Sequence, residues 1–396
     1  MAASALAKIN ALSSYVTPVA FMEDGFTQRI GSMLPQAIGR RVTTAARLRA
    51  YPPNVSPGEF RSAGAIAELV FFSSQRTSLG KPLRHRAMLA RNTRVDRGAA
   101  NQLTSSDRSL FCSNGCSERS LERASELGIA TLLNYPIAHH AWARDILDEE
   151  AELVPSFAAT LQYPSRDEPT IQKLDREIEL ADRVLGLSSF HVDTFVASGV
   201  PRDKLVIAPL GVDLELFRPQ DAAVRDGVFR VVFVGQITQR KGISYLIDAF
   251  ELANIPNSEL VFIGRVVGSD EAWAKTPRLC HIPHLPRHAL PAVYADASVF
   301  VMPSLVEGFC LTAVEALACG VPSIVTPNTF GDEVVRDGVE GWNVPIRNAE
   351  AIADKLCRLA EDSDLRTSMA SAARLRAEAF SWDAFGEKVS AHLLEI

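Results

Sequence analysis

From residue 297 to 326 the chain reads ASVFVMPSLVEGFCLTAVEALACGVPSIVT, and this stretch limits the fold more than any other. Its first six residues are apolar, partly β-branched and too few for a helix, which makes them a buried strand. Pro303 and Ser304 then fall at the carboxyl end of that strand, and Glu307 and Gly308 form a turn. Residues 311–319 are helix formers, stopped by Gly320 in a left-handed conformation with Pro322 just beyond. Strand, acidic glycine turn, helix, glycine stop and strand succeed one another in open parallel sheets. Ligands of such sheets sit where strand ends meet helix starts, and the free N–H groups of a helix start favour phosphate.

Two carboxylates beside a phosphate site need a reason, because anions do not recruit anions. Glu307 lies at the mouth and Glu315 about one and a half turns into the helix. One reading is that they grip the hydroxyls of a nucleotide sugar while backbone amides take its diphosphate. The other is an ordinary acidic helix start, stabilised by the helix dipole.

A second phosphate candidate follows the run Phe229-Arg230-Val231-Val232-Phe233-Val234, a near-continuous β-branched strand of the kind buried on both faces. Gly235 and Gln236 come next, then Arg240, Lys241 and Gly242, then a helix over 243–252. A basic, glycine-bounded loop after a strand suits phosphate by the same helix-start logic, with Lys241 as a mobile point charge. A plain surface lysine is the alternative.

The length, 396 residues, suits two or three domains, and 47% hydrophobic with 22% charged residues suits globular ones. No apolar run approaches the roughly 18 residues needed to cross a bilayer, and the start MAASALAKIN is unlike a signal peptide. We read the chain as cytoplasmic. The six cysteines, Cys112, Cys116, Cys280, Cys310, Cys319 and Cys357, are scattered, as reduced thiols are. Neither Cys112 with Cys116 nor Cys280 with His281, His284 and His288 offers the paired spacing of a zinc site, so no metal and no cofactor is expected.

Charge is uneven. Residues 1–110 carry 15 Lys and Arg against 6 Asp and Glu, a balance of +9 that leaves −15 for the rest. Arg76, Lys81, Arg84, Arg86, Arg91, Arg94 and Arg97 face one acid, Asp96. That segment reads either as a surface for anionic lipid or acidic substrate or as a solvated helix face. Nucleic acid is not expected, since no binding motif accompanies the charge. Residues 25–105 show no clear period. Strands are expected at 109–112 and 130–135, joined by a helix over 117–127.

Glu307-Gly308-Phe309, the seven-residue spacing to Glu315, and Ala316 to Pro322 resemble the E-x7-E signature of retaining glycosyltransferases of family four. Other stretches resemble further motifs of the same family: Lys204 to Asp213 with Phe217 and Pro219, Gly235 with Lys241-Gly242, Gly331-Asp332-Glu333 with Gly341, and Phe380-Ser381-Trp382, so that the resemblance covers roughly residues 109–390. The chain departs from the pattern at Leu210, where Asn is usual, and at Gln236, where Arg is usual. Its start also differs, beginning inside a helix rather than with a strand and glycine-rich turn. The resemblance implies an α/β, GT-B fold: two Rossmann-like domains facing across a cleft, with a C-terminal helix crossing back. The domains expected are 1–217 on the acceptor side, 218–378 binding the nucleotide sugar, and 379–396 as the crossing helix. It implies transfer of a sugar, with retention, to an unidentified glycan, lipid or small-molecule acceptor. Glu307, Lys241 and one of His139 and His140 are the implied catalytic groups. Gly235, Gln236, Arg240, Lys241, Gly308, Phe309, Cys310, Leu311 and Glu315 are the implied donor-binding set. Two alternatives stay open: a degenerate nucleotide-sugar-binding protein without turnover, and a GT-B sugar-nucleotide epimerase.

Overall fold

The computed structural model describes residues 2–18, 54–56, 58–63, 68, 80–163, 167–220, 227–268, 273 and 276–395. Outside them lie Arg76, Tyr51-Pro52-Pro53, a sequence expected to break any helix, and residues 221–226 of the stretch 218–228, whose charge, Pro and Gly suit a linker. Packing divides the chain into two compact units. One comprises Met1–Asn134, Glu168–Val184 and Gly386–Ile396, the other Tyr135–Asp167 and Leu185–Phe385. Residues 135–167 and 185–217 therefore pack with those that follow 218.

In the first unit, helix α1 (Ala2–Lys8) precedes β1 (Tyr15–Thr17), which pairs in parallel with β2 (Phe60–Ser62). Helix α2, Gly80–Gln102, runs 23 residues through a stretch that shows no period in the sequence. The reason is visible in its composition: arginines, alanines and polar residues outnumber large apolar ones, so no hydrophobic stripe marks it. β3 (Ser109–Ser113) leads into helix α3 (Glu118–Leu127) and β4 (Ala130–Asn134), with Ser109 opposite Ala130 in a parallel register. The N-terminus of α3 is stoppered by acids. Buried Asp96 accepts from the N–H groups of Arg119 (3.0 Å) and Ser120 (2.9 Å). Glu177 accepts from those of Gly115 (2.5 Å) and Ser117 (2.7 Å). The single acid of the basic segment thus turns inward and leaves Arg86, Arg94 and Arg97 exposed. Near the C-terminus, Gly386 leaves room for Ala5, whose Cβ would stand 2.4 Å from any side chain there.

The second unit begins with helix α4 (His140–Leu153) and, after Ser188, helix α5 (Ser189–Ala197). Its centre is a six-stranded parallel sheet of β5 (Phe229–Val234), β6 (Ser258–Ile263), β7 (Leu279–Ile282), β8 (Val299–Met302), β9 (Ser323–Val325) and β10 (Gly341–Asn343). Spatially the order is β10-β9-β8-β5-β6-β7. Helix α6 (Ile243–Ala253) follows β5, helix α7 (Leu311–Ala318) follows β8, and helix α8 (Ala349–Glu361) follows β10. Val231, Phe233, Leu260, Phe262, Val299, Phe300, Val301, Met302 and Ile324 are all buried, which is why these strands read as unbroken apolar runs.

The topology fixes where chemistry can occur. β5 and β8 are neighbours, with Val231 opposite Val299, so the loops leaving their carboxyl ends lie side by side. At Gly242, with φ +70°, a Cβ would stand 2.0 Å from the Pro303 carbonyl oxygen, so no other residue fits. Leu305 N–H donates to the Arg240 carbonyl at 2.9 Å, tying the loops together.

Candidate functional site

Arg240 and Lys241 occupy a single 3-10 turn, Gln239–Lys241, between β5 and α6. Glu307 occupies the turn between β8 and α7. Lys241 Nζ lies 2.6 Å from Glu307 Oε1, and an Arg240 Nη lies 3.1 Å from the same oxygen. The Arg240 guanidinium also donates to the Val306 carbonyl. All three side chains keep only 10–12% of their surface in solvent. Burial pushes the Glu307 carboxyl up, but Arg240 and Lys241 together outweigh it and hold the group below its ordinary range. Glu307 is therefore an anion at neutral pH. The Lys241 stem passes over Gly235, where a Cβ would stand 3.3 Å from its Cε, and Gln236 lies half-buried beyond.

The turn at Glu307 is fixed by contact with the segment after β4. A Cβ on Gly308 would stand 2.2 Å from the Pro136 carbonyl oxygen, and the Gly308 carbonyl accepts from Ser188 Oγ at 3.2 Å. Phe309 turns its ring into the core, with centroids 5.6 Å from Phe330 and 6.4 Å from Phe380, so a contribution to a ligand can come from its backbone alone. Buried Cys310 is the N-cap of α7, with Sγ 3.4 Å from Thr312 Oγ1, and Leu311 is its first residue. Among the described residues, no oxygen accepts from the N–H groups of Phe309 and Cys310. Such free donors at a helix start suit an anion.

Glu315 lies farther along α7, 5% exposed, and pairs with Arg287 at 3.1 Å. Burial raises its carboxyl despite Arg287. Arg287 in turn lies over the Phe217 ring, 4.9 Å from its centroid. The sequence gives no hint of this partner, because 28 residues separate the two.

His139 and His140 are both buried, their rings stacked with centroids 4.3 Å apart. His139 caps α4, its Nδ1 accepting from Ala141 N–H at 3.3 Å. Burial first, then His140 and His191, lower its basicity to about 3. His140 Nδ1 lies 3.0 Å from the Tyr135 hydroxyl. His191, fully buried on α5, escapes a sequence reading because a lone histidine in a helix carries no signal. Its Nδ1 accepts from Leu187 N–H (2.9 Å), which leaves Nε2–H to donate to the Ile137 carbonyl (2.6 Å). Thr194 Oγ accepts from His139 N–H at 3.0 Å. Glu333, in the turn Gly331-Asp332-Glu333, accepts with its two oxygens from Ser189 N–H at 3.0 and 2.9 Å, a contact 144 residues apart in the sequence.

In this α/β protein, adjacent strand ends of a parallel sheet bring a buried carboxylate against two cations beside a helix start. Solved structures resemble it over most of their length. HepE of Anabaena, in complex with UDP and glucose, gives a TM-score of 0.61 at 16% identity, covering 95% of this chain and 99% of that one. Sucrose-phosphate synthase of Thermosynechococcus elongatus gives 0.55 at 21%, covering 86% and 81%. The fold is GT-B. Residues 217–376 match the family model described as "Glycosyl transferases group 1". The chain is 30% identical over 274 residues to a D-inositol 3-phosphate glycosyltransferase of Kribbella flavida, a match covering 62% of this chain and 65% of that one. It is 26% identical over 228 residues to a putative colanic acid biosynthesis glycosyltransferase, WcaL, of Escherichia coli, covering 53% and 55%. The chain thus spans less than two thirds of the length of these relatives.

Proposed function

We propose that this chain transfers a sugar from a nucleoside diphosphate sugar to an acceptor hydroxyl, with retention at the anomeric carbon. The observation that carries the reading is the Glu307 carboxylate shared by Lys241 and Arg240, within a segment that matches the model of the group 1 glycosyl transferases. In the transfer, the bond from the anomeric carbon to the diphosphate oxygen breaks and a bond to the acceptor oxygen forms. The acceptor proton leaves with the diphosphate. Negative charge grows on the leaving group while positive character grows on the ring.

Lys241, Arg240 and the free N–H groups at the start of α7 are placed to stabilise the anion, with Gln236 and the open backbone at Gly235 beside them. No metal is needed in this reading, because fixed cations and amides supply the charge. Glu307 holds the sugar hydroxyls and faces the developing cation, Glu315 holds the ribose, and one of His139 and His140 faces the transferred sugar. The acceptor class, a glycan, lipid or small molecule, is left to experiment. Exposed Arg86, Arg94 and Arg97 on α2 support peripheral contact with an anionic membrane from the cytoplasmic side. Among the described residues no helix is long and apolar enough to cross one.

The test is turnover with a panel of nucleotide sugars and candidate acceptors, reading the anomeric configuration of product by NMR. An α-linked donor giving an α-linked product supports the proposal, and an inverted product overturns retention.

A further inference from the structure

Glu150 on α4 is fully buried, yet it belongs to no motif and lies 89 residues from the loop it touches. Its Oε1 accepts from Gln239 Nε2 at 2.7 Å and from the Tyr245 hydroxyl at 3.0 Å. Its Oε2 accepts from Arg347 Nε at 2.7 Å. Burying a carboxylate and a guanidinium is costly, and well-packed apolar residues of the same volume often serve stability as well or better. Stability alone therefore explains this network poorly. A requirement for one particular arrangement explains it better.

The arrangement it specifies is that of the Gln239–Lys241 turn. Gln239 is fully buried, and its amide reaches Glu150 with one end while its Oε1 accepts from Ser244 N–H (3.1 Å) at the start of α6. Gln239 N–H donates to Thr160 Oγ1 (2.8 Å), and Thr238 Oγ1 donates to the Thr160 carbonyl (2.5 Å). The turn is thus gripped through Thr238 and Gln239, and the next two residues are Arg240 and Lys241. We infer that Glu150 is a positioning residue for Arg240 and Lys241, holding through Gln239 the turn on which both cations ride. The inference rests on the proposed diphosphate role of that pair.

The test is calorimetric titration with inorganic pyrophosphate of wild type, Glu150→Gln, Lys241→Ala and the double variant, with thermal melts of each. Removing a negative charge near an anion site would by itself tighten pyrophosphate. Positioning predicts the opposite, about tenfold weaker binding for Glu150→Gln, the scale of one hydrogen bond to a charged group. It also predicts that Glu150→Gln costs clearly less once Lys241 is alanine, because only Arg240 is then left to misplace, as for residues acting through one element. Glu340→Gln is the control, since Glu340 is equally buried but pairs with Arg336 in the turn before β10, away from this loop. It should lower Tm and leave pyrophosphate affinity unchanged. Tyr245→Phe, which removes one donor to Glu150 without touching charge, should weaken pyrophosphate in the same direction and carries the comparison should Glu150→Gln not fold. Unchanged or tighter binding in the Glu150 or Tyr245 variant overturns the inference, as does a loss that adds fully to that of Lys241→Ala. Wild type failing to bind pyrophosphate overturns the diphosphate reading itself, and the inference with it.

Discussion

At Glu307 one carboxylate answers two cations, and the three side chains should fail in different ways. Lys241→Ala leaves Glu307 paired with Arg240, so the fold should survive. Turnover should fall by roughly 2 to 4 kcal/mol in transition-state stabilisation, the scale of one oriented electrostatic group. Steady-state kcat/KM beside a melting curve checks this, and activity within a few-fold of wild type would contradict it. Glu307→Gln keeps shape and hydrogen bonding but removes the charge that faces a developing cation, so kcat should fall more than donor affinity. Glu315→Gln should act mainly on KM, because a ribose contact differs little between ground and transition state. The reverse pattern at varied donor concentration would exchange the two roles. Glu307, Lys241 and Gly308 were legible in the sequence because strand-end turns expose their chemistry locally. Arg287, His191 and Glu150 were not, since each acts through a contact that only the folded chain creates.

Among the elements, the turns after β5 and β8 depend on two glycines whose space is taken by carbonyl oxygens. Gly308→Ala places a Cβ 2.2 Å from the Pro136 oxygen, and backbone cannot yield as a flexible side chain would. We expect destabilisation of about 2 to 4 kcal/mol together with a large loss of turnover, since the Glu307 turn must move. Gly338→Ala is a useful comparison: with φ +77° and nothing within 4 Å, it should cost only backbone strain, about 1 kcal/mol, and leave turnover intact. Urea titration with activity assays decides between them, and equal effects at the two sites would contradict this account of the turn. The strands of the parallel sheet could be read from sequence because burial on both faces makes them continuous apolar runs. Helix α2 could not, because its exposed arginines and small residues give no stripe. Its exposed Arg86, Arg94 and Arg97 should make the protein bind vesicles containing anionic lipid and release them as salt rises, screening acting over about 8 Å at physiological ionic strength. Equal partition to neutral vesicles would remove the membrane contact.

For the molecule as a whole, buried histidines set a pH dependence. Burial lowers His191 to about 4, and burial with neighbouring rings lowers His139 to about 3. An unfolded chain takes up protons on these rings below about pH 6.5 while the folded one does not, so stability falls as pH falls from 6.5 toward 4. Each ring contributes a slope approaching about 1.4 kcal/mol per pH unit in that window. Urea unfolding of wild type and His191→Gln at pH 7 and pH 5 isolates one ring: the variant should lose less stability on acidification, and parallel losses would contradict the assignment. The central claim, that Lys241, Arg240 and Glu307 receive a nucleoside diphosphate sugar, has a more direct test in ligand-dependent melting. A ligand that binds only the folded state stabilises it by about 2.7 kcal/mol at one hundred times its dissociation constant. Wild type and Lys241→Ala should be melted with a panel of nucleotide sugars. At least one sugar should raise the Tm of wild type and fail to raise that of Lys241→Ala. No shift with any sugar, or the same shift in both proteins, would contradict the claim.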